Sequence, residues 1–544
     1  MLHKNDIFEM TCDAFGQDAQ GVCRHEGMAV FVPGMLPGER AMVRIVKPEK
    51  RFAFGRLEQL LFSSPDRTEP FCPAYRRCGG CSCQHMTYET SLRFKRDQVQ
   101  ALLERVGGLS IQVPPVWGMD EPFAYRNKGA YPVADIHGKP VCGFFAPRSH
   151  DLIPLPVQGC RIQRADSHDA VQAVLRWMHE SGAPAYDEVT GRGLVRHVMT
   201  RSTTDGGLMV VLVVTRADIP QKTQLIACLH DAVPGLQSLC LSINSRKTNV
   251  ILGTDIRLLW GKPEMEDTLC GLRFSVSPLS FFQVNPAQTE RLYQLALEYA
   301  QLTGNETVVD AYCGAGTISL LLARHAARVI GIEIVPEAID NAKANAQRNG
   351  IDRAQFLVGA TETLLPRLVN EGLHPDVVVV DPPRKGCEPA VLDAIVKAQP
   401  KRVVYVSCGA PTLARDAKIL CEGGYHVERV QCVDMFCWTG AVETVMLLVQ
   451  QRPDDIVRVG IDTDELGVTK AESKATYGEI QARVKAQTGL NVTPLYIAQV
   501  KRKYGIIERE CYNKAKADSP KMHLCPPDKE AAIEEALRFF GMIA

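Results

Sequence analysis

Between residues 306 and 450, apolar strand-like segments alternate with helical ones, and this alternation admits few folds. The strand candidates are ETVVDA, RVIGIE, DVVVVD, RVVYVSC and ETVMLLV. Val377–Val380 is an unbroken apolar run, as expected of a strand buried on both faces. Strands separated by helices predict a doubly wound, Rossmann-like parallel sheet. Ligands of such sheets collect at the carboxyl ends of the strands. Asp310, Glu333, Asp381 and Cys408 stand at those ends, so each is a candidate for chemistry. The helix NPAQTERLYQLALEYAQL leads in, and the domain is predicted over residues 286–452.

The chain has 544 residues. At about 100–200 residues per domain it must be multidomain α/β. Residues 1–60 alternate β-formers with Gly and Pro and predict an OB-like β-barrel. Arg40, Arg44, Lys47, Lys50, Arg51 and Arg56 surround Phe52 and Phe54 there, a mixture that suits RNA or an ordinary solvated face. Residues 61–285 predict a β-rich central domain. Residues 453–544 predict a small helical extension of unknown role, either a helix-turn-helix-like RNA-binding module or a packing appendage. Its signals are a capping box at Thr469–Glu472, a second helix from Thr493-Pro494 and a third ending at Gly541.

Lys plus Arg equals Asp plus Glu at 62, so any basic surface is a local patch. No apolar run reaches the roughly 18 residues of a membrane span. The opening MLHKNDIFEM lacks a signal-peptide core, and a cytoplasmic protein is expected. There thiols stay reduced, so the 19 cysteines read as metal, cluster or nucleophile positions rather than disulfides.

In ETVVDAYCGAGTISLLLA a strand meets a glycine turn and a helix start, with Gly314 and Gly316 permitting close backbone approach to a ligand. Glu333, ending the next strand, can bind ribose hydroxyls. Ser319 stands where a dinucleotide fold has its third glycine, which favours S-adenosylmethionine over a pyrophosphate ligand. Asp381 opens the rigid turn Asp-Pro-Pro-Arg, facing cofactor and substrate. Cys313, Cys387 and Cys408 share this edge, so position alone selects no nucleophile. Glu443 heads the last strand, as a general base or as a solvated acid.

Taken together, the motifs resemble the RNA uracil-5-methyltransferases. They are Asp381-Pro-Pro-Arg384, Ser407-Cys408 with Thr412 and Arg415-Asp416, Asp434-x-Phe436-x-x-Thr439-x-x-Val442-Glu443, and FFQVN at 281–285. The barrel resembles a TRAM domain. The resemblance implies an S-adenosylmethionine-dependent enzyme that methylates carbon 5 of uridine in RNA, 23S rRNA first and tRNA as the alternative. It implies Cys408 as nucleophile and Glu443 as base. It also implies Gln283, Tyr312, Glu333 and Asp381 around the cofactor and Phe281 near the target base. This chemistry needs one thiolate on uracil carbon 6 and a separate base for the carbon 5 proton. Departures are Gly409-Ala410 between Cys408 and Pro411, Cys437 at a usual proline, Ala441 at a usual histidine and Ala360 at a usual adenine contact. They leave a catalytically impaired RNA-binding or RNA-folding protein as another reading. Amino-group methyltransferases carry an aromatic residue where Arg384 stands.

CPAYRRCGGCSCQH places Cys72, Cys78 and Cys81 at Cys-x5-Cys-x2-Cys spacing, without the second knuckle of a zinc ribbon. A cubane cluster needs a fourth ligand, from among Cys83, His85 and Cys160. The resemblance points to Cys160 and puts Cys83 in an apolar slot. A [4Fe-4S] cluster on Cys72, Cys78, Cys81 and Cys160 is expected ahead of zinc, in an insert facing RNA through Arg76 and Arg77. Arg126, Lys128, Arg196 and Arg201 are candidate phosphate contacts. A monomer is expected.

Overall fold

A computed structural model describes residues 2–451, 475–504, 506 and 525–543. The capping box expected at Thr469–Glu472 lies outside the described residues. Contacts divide the chain into two units, residues 1–452 and 453–544.

At the N-terminus five strands close into a barrel in the order Ile7–Phe15, Gly21–His25, Met28–Val32, Phe52–Phe62, Arg40–Pro48. Alternation sends Met10, Cys23, Val30, Val43 and Ile45 inward. Closure depends on Gly55, where a Cβ would meet Val43 at 2.5 Å. The basic stretch is more neutral than its sequence implies. Arg44 and Arg56 both pair with Glu58, Arg40 with Glu9 and Lys47 with Glu49.

The central region is a seven-stranded sheet in the order Asp255–Gly261, Leu236–Ile243, Leu208–Val214, Val195–Ser202, Lys128–Ile136, Lys139–Phe145, Leu152–Pro154. The β-rich reading holds, with three helices added to the strands. Helices Ala165–Ser181 and Lys222–Ala232 cover one face of the sheet with Val171, Val174, Trp177 and Leu225; Met209 and Val211 pack on the other face with Met199 and Met265, so every residue of Leu208–Val214 is buried. A third helix, Tyr88–Arg105, sends Val99 and Leu103 into the core of the next domain, beside Leu413 and Leu420.

Two of the expected phosphate contacts are instead structural. Arg196 is buried and donates to the carbonyls of Asn244 and Arg246. Arg201 is buried and donates to the Ser280 carbonyl. Arg196 also pairs with Glu188 at 3.2 Å, so both guanidiniums are engaged within the protein.

Residues 286–451 build the doubly wound sheet, ordered Ala354–Val358, Arg328–Glu333, Thr307–Ala311, Val377–Val380, Arg402–Ser407, Glu443–Gln450, Tyr425–Val433. The first five strands run parallel; Glu443–Gln450 runs against them, and Tyr425–Val433, antiparallel to it, again shares the direction of the five. One apolar core lies on each face. Gly316, at φ 81°, caps the helix Thr317–Ala323, and a Cβ there would meet Phe356 at 3.1 Å.

The second unit contains helices Tyr477–Thr488, Pro494–Lys503 and Pro527–Phe539 around Ile480, Val484, Ile497, Ile533 and Leu537. A capping box joins Thr476 and Glu479. Lys503 is bonded to Glu530 and Glu534. Among the described residues no helix is long and apolar enough to cross a membrane.

Candidate active site

Strand order brings the chemistry together. Thr307–Ala311, Val377–Val380, Arg402–Ser407 and Glu443–Gln450 are consecutive neighbours. The last of these is antiparallel, with Ser407 opposite Thr444. Cys408, leaving one strand, and Glu443, entering the next, therefore stand side by side at the edge where Asp310 and Asp381 also lie.

That edge opens into a cavity of about 1390 Å³. Its lining includes every catalytic, cofactor and base-binding candidate of the sequence: Cys408, Glu443, Gln283, Tyr312, Glu333, Asp381 and Phe281. Phe281 is 74% exposed, an aromatic ring held open to solvent. Gly314 also lines the cavity, and a Cβ there would meet no protein atom within 4 Å, which leaves room for a ligand against the backbone. Glu333 accepts from the Gly314 and Val335 amides at 3.2 and 3.0 Å, which fixes its carboxylate beside the glycine loop. Tyr312 takes a positive φ of 75° as the chain turns out of the strand. The Gln283 carbonyl is held by the Asn127 side-chain amide at 3.1 Å.

The cavity is acidic, and the carboxyl groups of Asp310 and Glu443 are buried. Burial, then the charge of Asp381, pushes the Glu443 carboxyl up to about 8, and Arg384 opposes the shift. Burial, then Asp310, pushes Asp381 up to about 7. Burial also raises Asp310 to about 6, though Ser319 donates a hydrogen bond to it. The Cys408 thiol is raised by burial and by Glu443 and Asp381, and Arg384 again opposes. Arg384 is thus the cation nearest in effect to both candidate catalytic groups. Its carbonyl is bonded by the Thr412 hydroxyl at 3.3 Å, which ties the Asp-Pro-Pro-Arg turn to the helix after Cys408. Cys313 and Cys387 line up less well. Burial raises both thiols strongly, and Cys387 is packed in the apolar core.

The cysteine insert separates into two environments. Cys83 is fully buried with Met86 and Phe94. Cys81 and Cys160 pack instead beside Trp438 and Phe71. Burial pushes the Cys81 thiol up to about 12, and Cys160, Cys78 and Cys72 add to the shift. Cys160 feels Cys78 and Cys72 in the same way. The four thiols therefore lie within electrostatic reach of one another. Among the described residues, no three His, Cys, Asp or Glu side chains converge on one metal-ion position. His85 is engaged elsewhere, with Nδ1 at 2.7 Å from the Tyr75 hydroxyl.

Local patterns give no sign of Tyr293, which lines the cavity from the helix Pro286–Ala300, or of Lys95, buried behind it. A tyrosine or lysine on an amphipathic helix carries no mark of which partner it will meet.

Comparison with known proteins agrees with this geometry. A family model described as tRNA (Uracil-5-)-methyltransferase matches residues 202–451, and a TRAM domain model matches residues 6–57. An uncharacterized RNA methyltransferase of Halalkalibacterium halodurans is 46% identical over 449 residues, covering 82% of this chain and 98% of the relative. One from Clostridium acetobutylicum is 45% identical over 451 residues, with the same coverage. Among solved structures, the Pyrococcus abyssi tRNA (uracil-54, C5)-methyltransferase in complex with S-adenosyl-L-homocysteine superposes with a TM-score of 0.67. That pair is 26% identical and covers 81% of this chain and 100% of the other. The chain belongs to the RNA (uracil-5-)-methyltransferase family.

Proposed function

We propose that the protein methylates carbon 5 of uridine in RNA, with 23S rRNA as substrate, using Cys408 as nucleophile and Glu443 as general base. The observation that carries this reading is the placement of Cys408 and Glu443 on adjacent strand ends in one cavity with Asp381 and Arg384. S-adenosylmethionine supplies the methyl group as an electrophilic sulfonium. Gln283, Tyr312, Glu333 and Asp381 hold it, Glu333 serving the ribose beside the glycine loop, and Phe281 stacks on the target base.

The Cys408 thiolate adds to uracil carbon 6, and the electron pair this releases gives carbon 5 nucleophilic character. Carbon 5 takes the methyl group, and S-adenosylhomocysteine leaves. Glu443 then removes the carbon 5 proton, the carbon 6–sulfur bond breaks and the thiolate is restored. Arg384 favours the thiolate and the carboxylate alike, since its charge lowers both groups' affinity for protons. A cationic sulfonium entering this acidic cavity acts in the same direction.

The insert fits a [4Fe-4S] cluster on Cys72, Cys78, Cys81 and Cys160. Four free thiols share one electrostatic neighbourhood under an aromatic wall. A four-iron cube distributes its ligands over separate corners, so they need not meet at one ion. Methyl transfer moves no electrons between substrates, and such a cluster supplies a structural clamp. Anaerobically purified protein is expected to be brown with about four irons per chain; stoichiometric zinc without colour overturns the assignment.

RNA containing 5-fluorouridine, given with S-adenosylmethionine, is expected to form a stable covalent complex that Cys408→Ala abolishes, because fluorine blocks proton removal. Tight RNA binding without a complex refutes the enzyme reading. The tRNA alternative is favoured by the Pyrococcus abyssi neighbour, whose substrate is tRNA. Methyl acceptance by 23S rRNA and by tRNA lacking the modification decides between them.

A further inference from the structure

Nine residues, Asp434–Val442, join the strand Tyr425–Val433 to Glu443, and Phe436 and Ala441 in this loop line the cavity. The loop is held almost wholly from outside the sheet. Asp434 is ion-paired with Lys95 of the helix Tyr88–Arg105, and both side chains are 0% exposed. The same ammonium donates to the Phe436 carbonyl at 3.1 Å. The Tyr88 hydroxyl donates to the other Asp434 oxygen at 2.6 Å, and the Met119 amide donates to that hydroxyl at 3.0 Å. On a second side, Asn285 and Gln288 donate to the Met435 and Asp434 carbonyls. On a third, the Ser82 and Cys83 amides donate to the Trp438 carbonyl at 2.9 and 3.0 Å, and the Gly440 amide donates to the Ser82 hydroxyl at 3.0 Å. Trp438 itself sits at φ 65°, a strained position for a large side chain.

A fully buried ion pair is a poor way to stabilise a core. Desolvation offsets most of the attraction, and an apolar pair of similar volume often does as well. What the pair does supply is a fixed geometry. An unpaired Asp434 cannot remain in this interior, and an unpaired Lys95 cannot either, so the loop has one position in which both charges are satisfied. That position sets the Phe436 carbonyl, and through it the ring in the cavity wall and the entry of Glu443 into its strand. Cys408, Asp381 and Arg384 lie on other strands and have their own tie through Thr412.

We propose that Lys95 is a positioning residue for the reaction: with Asp434 and the Phe436 carbonyl it fixes the loop that aims Glu443 at the carbon 5 proton. The proposal rests on the roles assigned above to Cys408 and Glu443. It predicts a specific imbalance. A loosened loop slows proton removal more than thiolate addition or methyl transfer, because of the two reacting side chains only Glu443 directly follows the loop, while Cys408 leaves a different strand. Uridine methylated at carbon 5 and still bonded through carbon 6 to Cys408 then accumulates on ordinary RNA, which the intact enzyme releases.

Lys95→Met combined with Asp434→Asn removes both charges and leaves neither one buried alone, and Lys95→Arg keeps the charge with altered geometry. Both are made in the full chain. Expected for each is unchanged S-adenosylhomocysteine binding, a kcat lower by about 10²-fold, and a covalent RNA complex on denaturing gels with ordinary uridine. That complex requires S-adenosylmethionine and disappears when Cys408→Ala is added. An unchanged kcat in a folded variant overturns the proposal. So does a loss of kcat and cofactor binding together with a lowered melting temperature and no complex, the pattern of a merely structural role. If the double variant does not fold, Lys95→Arg alone is read by the same criteria; failure of both to fold also assigns Lys95 to structure. Absence of the 5-fluorouridine complex in the unaltered enzyme instead refutes the roles of Cys408 and Glu443.

Discussion

Burial and the carboxylates of Glu443 and Asp381 oppose ionisation of Cys408 in the ligand-free protein. Glu443 binds its proton up to a pH of about 8 when folded, against an ordinary value of 4.5. Below pH 4.5 both folded and unfolded chains are protonated there and the group has no effect. Between 4.5 and about 8 the unfolded chain releases the proton while the folded chain retains it, so stability falls as pH rises, with the full cost present above 8. Glu443→Gln removes that cost. Thermal melts of the ligand-free protein are expected to favour the variant by a few kcal/mol at pH 9 and hardly at all at pH 4.5; an equal gap at both values refutes the argument. In the proposed mechanism activity depends on the same groups with the opposite sign, since it uses both Cys408 and Glu443 deprotonated. The free-enzyme kcat/KM therefore rises with pH, and Arg384→Gln moves the rise to higher pH because the cation that opposes both shifts is lost. A profile that stays in place excludes Arg384 as the source of that field.

Elements hold these residues through a few buried polar ties. Asp416, fully buried on the helix Ala410–Glu422, accepts from the Cys387 amide at 2.8 Å and the Tyr405 hydroxyl at 2.6 Å, while Arg415 donates to its other oxygen. Gly386, at φ 80°, lies so close that a Cβ would meet Asp416 at 2.7 Å. The tie therefore fixes the end of the Asp-Pro-Pro-Arg turn against the helix after Cys408. Asp416→Ala leaves two buried donors without acceptors, at about 1–3 kcal/mol each. Chemical denaturation is expected to show a lower midpoint with an unchanged slope; an unshifted midpoint shows the tie to be dispensable. The strand ends were legible in the sequence because they depend on local signals: apolar runs place Asp381 and Cys408 just after strands and Glu443 at the head of one. Position did not separate Cys408 from Cys313 and Cys387; the resemblance of the motifs did. The helix Tyr88–Arg105 was not legible. Its lysine and arginines look like a solvated face, yet Lys95 is buried, because its partner Asp434 comes 339 residues later. The helices Ala165–Ser181 and Lys222–Ala232 were overshadowed by the strongly β-forming strings beside them. Arg196 and Arg201 looked like phosphate contacts because nothing local distinguishes an exposed guanidinium from one bonded to carbonyls.

At the scale of the whole molecule, the family model ends where the first unit ends. The Halalkalibacterium halodurans relative aligns over 449 residues, nearly its whole length, and the family model stops at residue 451. The cavity, the cysteine insert, the barrel and the loop Asp434–Val442 all lie within residues 1–452. The second unit has its own core and its own ion ladder, Lys503 with Glu530 and Glu534. A chain ending at Gln451 is therefore expected to bind S-adenosylhomocysteine, form the 5-fluorouridine complex and melt as the full chain does. Residues 453–544 alone are expected to be helical by circular dichroism but to melt at low temperature, since a chain this short buries too little apolar surface for a wide margin. Loss of cofactor binding in the shortened chain makes the second unit part of the catalytic fold. If cofactor binding and complex formation on a short uridine-bearing RNA both survive but methylation of 23S rRNA fails, the second unit serves substrate docking, and its short basic helix Pro494–Lys503 is the first place to substitute.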